Sequence, residues 1–109
     1  MAITTNAICN TFKKELLQGK HDFSNPGGNT FKLAMYTSAA TLGSGTTSYT
    51  TGGEVSSPAG YTAKGQALAN VGTSVSSGVA ITDFSNLSFT GVTLTARGAL
   101  IFNSTQADK

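Results

Sequence analysis

The chain of 109 residues has no tryptophan, one cysteine, one histidine and two prolines, and charged residues make up only 11% of it. Each scarcity closes a class of function. A lone Cys9 allows neither an internal disulfide nor a cysteine-based zinc site, so packing alone must hold the fold. No apolar run exceeds the four residues Ala99–Phe102, whereas a membrane-spanning helix needs roughly 20, which excludes such a helix and a secretory core as well. The six lysines and one arginine are scattered, with Lys13-Lys14 the sole adjacent pair, so nothing here is built to neutralise a row of phosphates. Neither a membrane nor nucleic acid is expected as a partner.

Catalysis is equally poorly served. Acid–base or nucleophilic chemistry needs a base and its partner set together, and one histidine with five dispersed carboxylates offers no such pair. His21-Asp22 is the only adjacent pair of metal-ligating type, and no second histidine exists. The glycines match no phosphate-cradling fingerprint. No enzyme activity, metal, cofactor or small-molecule substrate is therefore expected.

Gly, Ser and Thr together supply 42 of the 109 residues, a turn-forming and β-tolerant composition. Disorder is disfavoured because 39% of residues are hydrophobic and the net charge is only +2. The length fits one domain. These features point to an α+β fold, mainly an antiparallel β-sheet or sandwich of short strands, with one N-terminal helix.

Ile8, Cys9, Phe12 and Leu16 form an apolar stripe at helical spacing, predicting a helix over Thr5–Gln18. Thr4 or Thr5 would cap it, and Gly19 would end it. On this reading Cys9 is a small buried hydrophobe, and His21 lies near the negative end of the helix dipole. Asn25-Pro26-Gly27-Gly28-Asn29 reads as a turn. The β core is expected over about 30–103. Thr30–Tyr36 alternates as a strand, with Phe31, Leu33 and Met35 on one face. Ser38–Gly60 reads as a long loop with a short edge strand near Tyr49 or at Glu54-Val55, and a loop of this length is usually functional. Further strands are expected at Ala67–Val71, Val79–Thr82, Leu87–Phe89 and Val92–Ala96, with a bulge or turn at Gly91. Ala99–Phe102 is apolar on both faces and is expected to be a covered central strand. It needs a neighbour, either an earlier strand or one from another chain. The residues most open to an interface role are Tyr49 and Tyr61, with Glu54 and Val55 beside them; strand packing is an equal reading of Tyr61.

One resemblance adds to this. Phe31–Gly43, then Glu54-Val55 leading to Gly60–Gly65, then Asp83-Phe84 and Ala96–Ser104, in that order, resemble a group of small virion proteins encoded by tailed bacteriophages. The resemblance implies a non-enzymatic, high-copy structural component, made in the host cytoplasm and assembled onto the virion as a homo-oligomer. Its implied place is the capsid exterior, as a decoration or cement protein binding the major capsid protein. A tail, baseplate or fibre component contacting other tail proteins or a host receptor is the alternative. The group carries no catalytic residues.

Overall fold

A computed structural model of the chain describes residues 7–56, 61–89 and 95–109. One helix, α1 (Asn10–Leu17), precedes five strands: β1 (Phe31–Tyr36), β2 (Gln66–Leu68), β3 (Asn70–Ser76), β4 (Val79–Phe84) and β5 (Gly98–Asn103). They form a three-stranded sheet ordered β2-β1-β5 and a two-stranded β3-β4 ribbon, antiparallel throughout. The chain is thus α+β and mainly β, as its composition leads one to expect. No described helix is long and apolar enough to cross a membrane.

The helix is shorter than the stripe predicts, and its buried face is different. It starts after an extended Cys9, which supplies no side-chain cap; the expected caps Thr4 and Thr5 lie outside the described residues. Ile8 and Leu16 are exposed, while the buried residue of α1 is Glu15. Glu15 is drawn inward by a polar partner, His21, which a hydrophobic stripe does not register. The C-terminus behaves as expected. Gly19 takes φ +71°, and the Lys20 amide donates back to the Glu15 carbonyl at 3.0 Å.

β1 forms where the alternation places it and is the central strand of its sheet, paired with β2 through Phe31–Leu33 and with β5 along its whole length. This corrects the expectation for Ala99–Phe102. β5 is an edge strand among the described residues, with Ile101 half exposed, and the neighbour it requires is β1. Ala67–Val71 is not one strand either. It divides at Ala69 into β2, which joins β1, and β3, which leaves to pair with β4. Ser85–Phe89 contains no strand, so the one expected at Leu87–Phe89 is absent. The expected bulge at Gly91 and strand residues Val92–Leu94 fall outside the described residues.

Ala34, Tyr36, Ala40 and Phe102 make the core on one face of the three-stranded sheet, joined by Leu42, Tyr49 and Leu100. On the other face Phe31 stacks on Phe23 with ring centroids 4.2 Å apart, and Phe84 lies against both. Both faces are therefore covered at β1, and the aromatic residues supply most of the cover.

Residues Gly53–Val55 lie beside the C-terminal half of β1. The Thr37 amide donates to the Gly53 carbonyl at 2.8 Å, the Val55 amide donates to the Met35 carbonyl at 2.9 Å, and Tyr36 bridges Glu54. The edge segment expected at Glu54-Val55 is thus present as a bridge that continues the line of β2. The corner between them depends on Gly65, whose φ of +69° favours glycine and whose Cβ position is filled by the Leu33 carbonyl group. Gly65→Ala is expected to destabilise the chain by about 2 kcal/mol or more, through left-handed strain and that overlap. Gly45→Ala, where a Cβ meets nothing within 4 Å, should stay close to wild type. Urea unfolding of the two variants checks both statements.

Candidate functional site

The four residues singled out in the sequence come together. Loop residue Tyr49, bridge residue Glu54 and Tyr61 meet at the C-terminal end of β1, where Tyr49 and Tyr61 both donate their hydroxyl protons to the Glu54 carboxylate, Tyr61 at 2.7 Å. The Lys64 amide donates to the same carboxylate at 2.7 Å, and the Tyr61 oxygen accepts from the Met35 amide at 3.0 Å. Val55 follows directly and is buried.

This cluster faces inward. Tyr61 is 3% and Val55 7% exposed, so neither presents a contact surface in this conformation. Tyr49 packs its ring on Phe102 at 4.9 Å, and its amide donates to the Asp108 carbonyl at 2.8 Å. Lys64 Nζ stands 5.4 Å from the Tyr49 ring centroid and pairs with Asp108 at 2.6 Å. The arrangement anchors the long loop to β1 and to the turn after β5. Its carboxylate is occupied by donors from its own chain, which leaves little capacity to recognise anything else.

Burial raises the pKa of each hydroxyl in this region. Tyr36, whose hydroxyl donates to the Thr50 carbonyl at 2.7 Å, and Tyr61 are both pushed up to about 12. Tyr49 is also raised, by burial and then by the adjacent Glu54 carboxylate.

A second polar cluster lies under α1, built from residues far apart in the sequence. His21 Nε2 is 3.0 Å from Glu15 Oε1, and His21 Nδ1 is 3.0 Å from Asn103 Nδ2. The Asn103 amide is oriented by its other contacts. Its oxygen accepts from the Thr105 and Gln106 amides, and its nitrogen donates to Asn29 Oδ1 at 2.9 Å. Nδ2 must therefore donate to His21 Nδ1, which places the imidazole proton on Nε2, facing Glu15. The histidine hydrogen bond, opposed by burial and aided by Lys109 at 3.5 Å, holds the Glu15 carboxyl below its ordinary pKa.

Sequence spacing places His21 near the helix dipole. The structure instead gives its imidazole a wholly buried side chain with both nitrogens engaged, so it has no free lone pair for a substrate. A Glu–His–Asn chain whose ends, Glu15 and Asn103, lie far apart in the sequence leaves no signal in it. Cys9 is half-buried, with its sulfur 3.6 Å from the Gly43 carbonyl oxygen, and burial raises its pKa, which disfavours the nucleophilic thiolate. A cavity of about 390 Å³ between α1 and β5 is walled chiefly by Ile8, Phe12, Phe31, Leu100 and Phe102. Its lining is mainly apolar, with Glu15, Asn103 and Lys109 among the polar groups that also border it. Among the described residues no three His, Cys, Asp or Glu side chains gather in a way that could hold a metal ion. No protein-family model, curated protein or solved structure matches the chain.

The chain's three tyrosines all belong to the loop anchor or its immediate surroundings, and there is no tryptophan, so ultraviolet titration reports on this region alone. Folding raises these pKa values, so the native state keeps phenol protons that the unfolded chain releases near pH 10. Stability is fully present below about pH 10 and should fall as pH rises towards 12. Absorbance at 295 nm should show ionisation delayed to about pH 12 and coincident with unfolding; three independent titrations near pH 10 would contradict it.

Asn103→Ala removes the group that serves His21, Asn29 and two backbone amides together. It is expected to cost about 2–4 kcal/mol in urea unfolding, because the freed polar groups stay buried.

Proposed function

We propose that the chain is a non-enzymatic structural component of a tailed-bacteriophage virion, a capsid decoration or cement protein that binds the shell of the major capsid protein. The ordered resemblance of its segments to small virion proteins motivates the reading. The structural observation that carries it is the β3-β4 ribbon, which holds Val71, Val75, Val79 and Ile81 out in solvent while its base joins the aromatic packing around Phe31. Exposed aliphatic side chains gathered on one hairpin support a contact role for it. Both polar clusters are satisfied within the chain and serve packing.

On this reading the protein works by mass action. Each copy bridges neighbouring shell subunits and buries apolar area only in the assembled state, which shifts the equilibrium towards the closed particle without covalent chemistry. It is made in the host cytoplasm and resides in the virion. It needs no cofactor, nucleic acid, membrane or small-molecule substrate.

Quantitative mass spectrometry of purified virions tests this. A ratio to the major capsid protein near one, or one to three, is the expected result. A few copies per particle would move the protein to the tail, baseplate or fibre, and absence from particles would end the virion reading.

A further inference from the structure

The β3-β4 ribbon has two long edges, and they are not alike. β3 carries a register shift between Asn70 and Gly72, with Gly72 at φ +116°, an irregularity that disrupts edge pairing. β4 is regular from Val79 to Asp83. The turn joining them has only Ser77 and Gly78 at its centre, both at positive φ, the two-residue hairpin type in which the flanking pair Ser76 and Val79 is hydrogen-bonded. Alternation along an antiparallel pair then directs the N–H and C=O groups of Ala80 and Thr82 away from β3. No described strand flanks β4 on that side.

Nothing on β4 discourages a neighbour. From Asn70 to Phe84 the ribbon has no proline and one charged residue, Asp83, near the end of β4. Val79 and Ile81, 59% and 43% exposed, share one face beside the open edge. A two-stranded ribbon by itself is marginally stable in water, and further strands with an apolar face make it durable.

The partner best suited to this edge is the same edge of a second copy. A two-fold axis perpendicular to the ribbon sets β4 antiparallel to its own copy and keeps the same face up, so one contact can be made twice over without a new complementary surface. The ribbon's one charge, Asp83, lies near the end of β4, so an antiparallel pair centred on Ile81 sets the two carboxylates at opposite ends of the junction.

We propose that two copies of this chain join through β4, forming a continuous four-stranded antiparallel ribbon, β3-β4-β4-β3, with Val79 and Ile81 of both copies on one face. The proposal rests on the assembly reading above only in taking the ribbon as a contact surface. The two fail separately, because self-association is measured on the isolated protein and copy number on particles.

Sedimentation equilibrium of the purified full chain should give a concentration-dependent mass reaching twice 11.1 kDa. Ile81→Lys and Ala80→Pro should each weaken dimerisation at least tenfold, the first by charge repulsion and the second by removing an outward N–H. Val71→Lys, on the β3 side, should leave it unchanged. The 295 nm tyrosine titration, which reads a region outside the ribbon, confirms that each variant is folded. In the wild type the Ala80 and Thr82 amides should gain at least tenfold protection from hydrogen exchange as concentration rises, a result that holds whether or not a variant folds. A wild-type monomer at every concentration, a dimer surviving both β4 variants, loss of the dimer only with Val71→Lys, or unprotected Ala80 and Thr82 amides would overturn the proposal.

Discussion

The packing of the described residues centres on β1. The strand pairs with β2 and then with the Gly53–Val55 segment on one side, and with β5 on the other. It alone contributes Phe31, Ala34 and Tyr36 to the set of buried side chains. A short chain with few large apolar residues can complete only one such centre, and this one lies where a central strand has partners on both edges and cover on both faces. Helix, loop and C-terminal turn are then attached to the centre by polar groups.

Those attachments share a logic. Glu54 gathers two hydroxyl protons and an amide at one end of β1, and Asn103 gathers an imidazole, a carboxamide and two amides near the other. Each joins segments that do not adjoin in sequence. A polar group buried with its partners satisfied specifies an arrangement more narrowly than apolar contact does, because misplacement leaves a desolvated donor or acceptor. The same completeness leaves both clusters few free donors or acceptors. Four exposed aliphatic side chains, Val71, Val75, Val79 and Ile81, lie instead on the β3-β4 ribbon.

Local chemistry was legible in the sequence where a segment's own side chains decide its state. β1 follows from strict alternation, the helix end from Gly19, and the bridge at Glu54-Val55 from two residues apt for an edge within a Gly/Thr-rich loop. Ala99–Phe102 was legible as a strand but not as an edge, since covering both faces of a four-residue apolar run depends on what the rest of the chain can reach. The division at Ala69 left no mark either: alternation runs through it unchanged, and only the choice of partners separates β2 from β3. Tyr49, Tyr61, Glu54 and Val55 were found as a group because they lie in and beside one loop, but their inward orientation follows from the path that loop takes over β1.

By itself the sequence determined the class of fold, the places of the helix, β1, β4 and β5, and the scarcity of chemical groups, because composition and periodicity act residue by residue. Tertiary structure alone decided that Glu15 would be buried in place of Leu16, that His21 would be enclosed between α1 and β5, and that one β ribbon would stand outside the core. Those outcomes are set by partners as far apart in sequence as His21 and Asn103 or Glu15 and Lys109, and no local pattern records which distant group will be there to satisfy a buried proton or to cover an apolar face.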